Sequence, residues 1–168
     1  MAEGSAARAF TIRRATVADA AAVASLNTDV QALHAAALPR RFKPPGAGAF
    51  SPETAAALFA KPANMVFVAD ALGAPAPVGY VYAEAARREE TPFTFAFDTI
   101  YVHHISVRPE FRKRGLGEAL LEAVRAEATV RKIDLITLDV WSFNAAARAF
   151  FRRNGFAVYN ERLWNRIG

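Results

Sequence analysis

His104–Leu121 reads HISVRPEFRKRGLGEALL: an apolar strand-like run, a turn at Pro109, a basic stretch, then Gly-x-Gly opening an amphipathic helix. Arg108, Arg112, Lys113 and Arg114 against Glu110 leave a net +3 within seven residues. A helix N-terminus presents unpaired N–H groups and the positive end of the helix dipole, which together favour an anion. Gly115 and Gly117 leave no side chain to block a phosphate from those amides, and Arg112 and Arg114 add charge-assisted donors. The predicted object is a pyrophosphate cradle. Two glycines can equally make nothing more than a tight turn between strand and helix. The Lys-Ser/Thr that closes a Walker A loop is missing, and Leu120 stands where a dinucleotide fingerprint has its third glycine.

Working outward, Gly115 to about Arg131 is the clearest helix, with Leu116, Leu120, Val124 and Ala128 recurring every four residues. Before the motif, Phe93–Val107 is a long apolar run, and a strand of that length usually contains a bulge. Val78–Ala83 and Met65–Ala69 read as a hairpin turning at Leu72–Pro77, and Arg87–Pro92 as a charged turn. Phe10–Arg13 reads as a first strand. Thr16 and Asp19 start a helix carrying Val23, Leu26, Val30 and Leu33, which Pro39 ends. Arg40–Phe50, with Pro44, Pro45, Gly46 and Gly48, is a loop, and Ser51 caps a short second helix. Beyond the motif come a strand at Leu135–Val140, a helix at Asn144–Asn154 closed by Gly155, and strands at Phe156–Tyr159 and Leu163–Ile167. This order predicts one α/β domain over residues 1–168, a mixed sheet with helices on both faces.

The whole-chain arithmetic narrows the function. At 168 residues with 53% hydrophobic and 22% charged residues, the chain has the balance of a globular domain. No apolar run approaches a membrane span, and Met1–Phe10 has no apolar core of signal-peptide length, so a cytoplasmic protein is expected. There is no cysteine, which excludes disulfides, Cys-ligated metals and an acyl-cysteine intermediate. Histidine is limited to His34, His103 and His104. Neighbours in an extended strand face opposite ways, so His103 and His104 are not expected to share an ion, and no metal site is predicted. The net charge of +5 favours anionic partners, but no interleaved basic and aromatic platform for nucleic acid is visible.

Two blocks carry a specific resemblance. Val107-x-Pro109-x-x-Arg112-x-x-Gly115-x-Gly117 is similar to the acyl-CoA loop of GNAT superfamily N-acetyltransferases. Asn144-x-x-Ala147-x-x-Phe150-Phe151-x-x-x-Gly155-Phe156 resembles a second block of the same superfamily, at the usual separation. The resemblance implies a mostly antiparallel sheet splayed at its two central strands. It implies acetyl-CoA as co-substrate, with the backbone of Arg112, Lys113, Arg114, Gly115, Leu116 and Gly117 holding the pyrophosphate. The main chain at Ile105 and Val107 would pair with the pantetheine arm. Asn144 would contact that arm or shape its slot, unless it is a plain N-cap, and Phe151 stands beside it.

Acetyl transfer to an amine needs a base for the ammonium, and an imidazole suits proton removal near neutral pH. His103 is the first candidate, expected to share a face with Tyr101 and Ile105. It matches a histidine of arylalkylamine acetyltransferases, although a structural histidine is the alternative. His104 should face the other way. Glu84 could act directly or through water. Many relatives have a tyrosine, thought to protonate the departing thiolate, where this chain has Phe151. Water, Tyr159 or Ser106 would replace it, or the chemistry differs. The acceptor would meet Gln31, His34 and Phe42, with Glu161 or Glu84 as partners for a cation.

The implied activity is N-acetylation of the primary amine of a small molecule by direct attack in a ternary complex. A protein N-terminal or lysine acetyltransferase and a non-catalytic CoA-binding regulator remain alternatives, and a homodimer is left open. A thiol is acidic enough to leave without full protonation. Phe151→Tyr is therefore expected to change kcat only modestly in a thiol-release assay. A rise of many orders of magnitude would show that the wild-type reaction lacks a required proton donor.

Overall fold

The computed structural model describes residues 10–46 and 50–167. Met1–Ala9, within the stretch read above for a signal peptide, and residues 47–49 of the loop holding Gly48 lie outside the described residues. A five-stranded sheet runs in the order β1 (Phe10–Arg14), β2 (Asn64–Ala71), β3 (Gly79–Arg88), β4 (Phe97–Val107), β5 (Ile136–Leu138). The first four strands pair antiparallel and β5 joins β4 in parallel. The helices are α1 (Ala20–Ala37), α2 (Pro52–Phe59), α3 (Leu116–Val130) and α4 (Ala145–Arg153).

Period-two alternation sends each strand's side chains to two different cores. Met65, Val81, Ala83, Ile100 and Val102 pack on the α3 side against Leu116, Leu120, Val124 and Ala128, the stripe expected from the sequence. Val66, Val68, Tyr80 and Tyr82 pack on the other side against Val23 and Leu26 of α1 and Ala55 of α2. The α1 stripe is shorter than its spacing suggested, because Leu33 is exposed and Asn27 is buried instead. The expected mixed sheet with helices on both faces is present.

Several boundaries differ, for identifiable reasons. The apolar run from Phe93 does not start β4; Thr91 and Thr94 bridge to each other, leaving Phe93 and Phe95 exposed at the hairpin tip. Arg87 and Arg88 belong to β3, not to a turn, since they pair with Asp98 and Phe97. The strand expected at Leu135–Val140 shrinks to three residues because β4 diverges from it. Neither Phe156–Tyr159 nor Leu163–Ile167 is a strand: this stretch finds no pairing partner among the described residues, and residues 157–167 are exposed throughout. Strand propensity without a neighbour to bond does not make a strand.

The start of α1 is fixed by charge. Thr16 N–H donates to Asp19 Oδ2 at 2.8 Å, completing the expected cap through a short 3-10 turn, Val17–Asp19. Arg13 Nη1 and Nη2 also donate to the two Asp19 oxygens at 2.7 and 2.8 Å. The Arg13 hydrogen bonds, with Thr16 adding, outweigh burial and hold the carboxyl down to about 2. A carboxylate whose folded pKa lies below its unfolded 3.8 contributes stability above that value and loses it as pH falls towards 2. Asp19→Asn is expected to lower unfolding free energy by on the order of 1–2 kcal/mol at neutral pH, after allowing for the half-exposed arginine. Urea melts should show the difference closing below pH 3.8; a constant gap would refute this.

Candidate active site

The site is organised by a break in the β3–β4 ladder. Tyr82 pairs with His104 and Ala83 with Val102, so His103 is the extra residue of a β-bulge. The bulge corrects the expected facing. His103 and His104 lie on the same, α1 side, both within aromatic contact of Tyr82, while Ile105 turns to the α3 core. Tyr101 keeps the face assigned to it, 4.7 Å from the His103 ring. Even with two imidazoles on one face, no metal-binding group of three or more His, Cys, Asp or Glu occurs among the described residues.

The two histidines have different surroundings. His103 stacks on Tyr82 (4.4 Å, 7°), and its Nε2 lies 3.0 Å from Glu84 Oε2, with both side chains partly open to solvent. A proton on Nε2 donated to Glu84 leaves Nδ1 with a lone pair. His104 is largely enclosed by Phe50, Tyr80 and Tyr82, with Asn27 Nδ2 at 3.4 Å from its Nδ1. Burial, then the charges of His103 and His34, hold its imidazole down to about 4, so it is neutral at neutral pH. Next to this pair, Tyr101 donates to Asp139 Oδ2 at 3.0 Å. Burial together with that carboxylate pushes the phenol up to about 12.

The contact between β4 and β5 also ends at the bulge. The β4–β5 register stops at Val102 and Leu138. Ile105 and Val107 thus have β3 on one side and no β5 partner on the other, which is the predicted splay. The gap leads to the basic turn. Arg112 Nε donates to the Val107 carbonyl at 2.8 Å, and Arg114 sits over the Phe111 ring. Lys113 and Gly115 take positive φ values of 60° and 83°, turning the chain tightly into α3. The first α3 bond runs from Ala119 N–H to the Gly115 carbonyl, so the amides of Leu116, Gly117 and Glu118 have no acceptor within the helix. Gly117 has a packing role beyond the expected one, since a Cβ there would stand 3.0 Å from Phe150 of α4.

The remaining candidates divide. Asn144 is an N-cap, its Oδ1 accepting from Ala147 N–H at 3.0 Å, which leaves its Nδ2 for any ligand. Phe151 is buried between Phe150 and Phe156, with no polar role. Ser106 is buried, and Tyr159 lies on the exposed chain end at 78% exposure, outside the contacts that gather the other residues. Gln31 Nε2 donates to the Lys43 carbonyl at 2.6 Å, tying the loop to α1. His34 stacks on Phe42 and meets Phe143 edge-on, Phe42 meets Trp141, and Arg41 covers the Trp141 face. The sequence reading missed Trp141, Phe143 and Asp139. Alternation along β3 and β4 could have marked Tyr82 with Glu84; nothing local could have joined Trp141 to Phe42.

This geometry has relatives. The profile of the acetyltransferase (GNAT) family matches residues 22–156, most of the chain. The chain belongs to the GNAT acetyltransferase family. The superfamily and enzyme class implied by the two sequence blocks agree with that match. Among solved structures, a mutant of the BH1408 protein from Bacillus halodurans superposes with a TM-score of 0.87 at 24% identity, covering 94% of this chain and 99% of that one. The aminoglycoside N-acetyltransferase AAC(6')-Iy in complex with CoA gives 0.70 at 17% identity, covering 94% of each chain. In sequence, the ribosomal protein bS18-alanine N-acetyltransferase of Salmonella typhimurium is 39% identical over 59 residues. Those residues are 35% of this chain, which spans 40% of the length of that curated relative.

The imidazole of His104 gives the site a pH signature. Its folded value of about 4 lies below the ordinary 6.5, so the unfolded chain binds a proton that the folded chain refuses. Acidification between those values therefore favours unfolding, by on the order of 3 kcal/mol in all. Urea midpoints of wild type should fall across this window, and His104→Gln should remove most of the slope. Parallel curves for the two proteins would contradict the assignment.

Proposed function

We propose that this protein transfers an acetyl group from acetyl-CoA to the primary amine of a small molecule by direct attack in a ternary complex. The reading is carried by one observation: the bulge places the His103–Glu84 pair where β4 and β5 part, on a gap that ends at the unpaired amides of α3. These residues fit an acyl-CoA. The amides of Leu116, Gly117 and Glu118, with Lys113 and Arg114 beside them, suit a diphosphate. The edge at Ile105 and Val107, free of β5 although the Val107 carbonyl already accepts from Arg112, suits an amide-bearing arm laid along a strand.

Bound acetyl-CoA supplies an activated thioester. His103 accepts the proton of the acceptor's ammonium at Nδ1 while Glu84 holds the Nε2 proton, freeing the nitrogen lone pair. The C–N bond then forms, giving a tetrahedral oxyanion; as it collapses the C–S bond breaks, the thiolate leaves, and the nitrogen gives up its second proton to water. With Phe151 apolar and Ser106 buried, water is the proton source for the thiolate. Gln31, His34 and Phe42, joined to Trp141 and Phe143, roof the α1 side and favour a compact acceptor. The short match to the alanine N-acetyltransferases supports a second reading, a protein N-terminal amine as acceptor.

Acetyl-CoA at about 100 times Kd should stabilise the protein by about 2.7 kcal/mol in thermal unfolding. Thiol release should appear with a member of a small-amine panel and not with peptides beginning in alanine. His103→Ala should lower kcat by about 10²–10⁴-fold while preserving the CoA-induced stabilisation. Absence of any CoA effect on folded protein would overturn the reading; release with the peptide alone would favour the second one.

A further inference from the structure

A β-bulge sets two residues of one strand against a single residue of its partner, and here that single residue is Tyr82. Its ring meets both imidazoles, stacking on His103 at 4.4 Å and 7° and meeting His104 edge-on at 5.8 Å and 69°. His103, as the extra residue, has no cross-strand partner of its own. Glu84 holds its Nε2 at 3.0 Å, and Tyr101 stands almost perpendicular to it at 4.7 Å. One hydrogen bond fixes one ring atom and leaves the plane free to turn about it; a stacked face fixes the plane. Tyr82 can serve as that face because it is itself fixed, 8% exposed and packed in the core on the α1 side. Asn64, buried opposite Glu84 in the β2–β3 ladder, hydrogen-bonds the Tyr82 hydroxyl. Its Nδ2 also donates to the Leu58 carbonyl of α2 at 2.9 Å, which ties the platform to that helix.

We infer that Tyr82 is a positioning residue for the transfer: its ring face sets the plane of the His103 imidazole and thereby aims Nδ1 at the acceptor's ammonium. The inference rests on the proposed role of His103 as base. Glu84 and Tyr82 then divide the task. The carboxylate selects which imidazole nitrogen carries the resting proton, and the ring sets where the other nitrogen points. Tyr82 exchanges no proton itself. Burial, then the charge of Glu84, push its phenol up, with the Asn64 hydrogen bond opposing them, so the ring is uncharged at neutral pH. A neutral π face also suits a partner that becomes cationic during the reaction, because an imidazolium is attracted to it. Control of the plane comes from the parallel contact; the edge-on contact with His104 imposes none.

The test uses the full chain and two readouts. A ring stacked at 4.4 Å moves the imidazole proton resonances upfield through its ring current. The His103 signals, assigned by their loss in His103→Ala, should lie upfield in wild type and Tyr82→Phe and return downfield in Tyr82→Leu and Tyr82→Met. In the thiol-release assay, kcat should fall by about 10²-fold in the Leu and Met variants, with KM for both substrates unchanged. Tyr82→Phe, which keeps the face, should retain most of kcat. In a His103→Ala background, Tyr82→Leu should cost nothing further, whereas a packing role would lower the rate in both backgrounds. Stabilisation by CoA reports that each variant is folded. A folded Leu or Met variant with wild-type kcat, a Phe variant as slow as the Leu variant, an equal loss without His103, or His103 signals indifferent to the ring would each overturn the inference. If neither Tyr82→Leu nor Tyr82→Met folds, the wild-type signals decide, and those of an unstacked imidazole overturn it. If no amine supports thiol release, the proposed activity falls, and the resonances alone decide whether Tyr82 holds His103.

Discussion

The site depends on one inserted residue. Without the bulge, β3 and β4 would remain in register, His103 and His104 would face opposite sides, and nothing would mark where β4 leaves β5. With His103 as the extra residue, the strand changes the phase of its side chains in a single step. Tyr101, His103 and His104 all project towards α1, Ile105 and Val107 join the α3 core, and pairing with β5 ends one residue earlier. A local increase in twist thus creates the ionisable cluster and the gap beside it together.

The gap also has electrical polarity that the net charge conceals. At the α3 end are Arg108, Lys113 and Arg114 with the helix dipole. At the β5 end are Glu84 and Asp139, each within 3.0 Å of an aromatic or imidazole partner. A polyanion is favoured at one end and a cationic amine at the other. The overall +5 follows mainly from arginines elsewhere and determines neither end.

Most of the fold could be read from periodicity because its strands and α3 are buried on predictable faces. Leu116, Leu120, Val124 and Ala128 show this directly. Readings failed where a residue's state depends on a partner distant in sequence. Phe93 and Phe95 are apolar but sit on a hairpin tip, and residues 157–167 have strand-like composition but pair with no strand among the described residues. At the site, the basic turn into α3 with its free amides was legible because glycine positions and charge are local signals. The facing of His104 was not, because alternation gives the wrong answer on one side of any bulge. Gly117 was assigned to the ligand, although the Phe150 ring that requires its small size lies on another helix.

The adjacent histidines show why identity alone does not assign roles. His104 is held neutral by burial and surrounded by Phe50, Tyr80, Tyr82 and Asn27. An imidazole that resists protonation at neutral pH is a poor store for the acceptor's proton, but it adds no charge beside His103. His103 has the carboxylate that can stabilise an imidazolium, a ring to stack on, and access to solvent. The charge of His103 is one of the causes that disfavour protonation of His104, and of the two it is His103 that has a carboxylate at hydrogen-bond distance. The difference between their surroundings follows from which imidazole the bulge leaves at the surface.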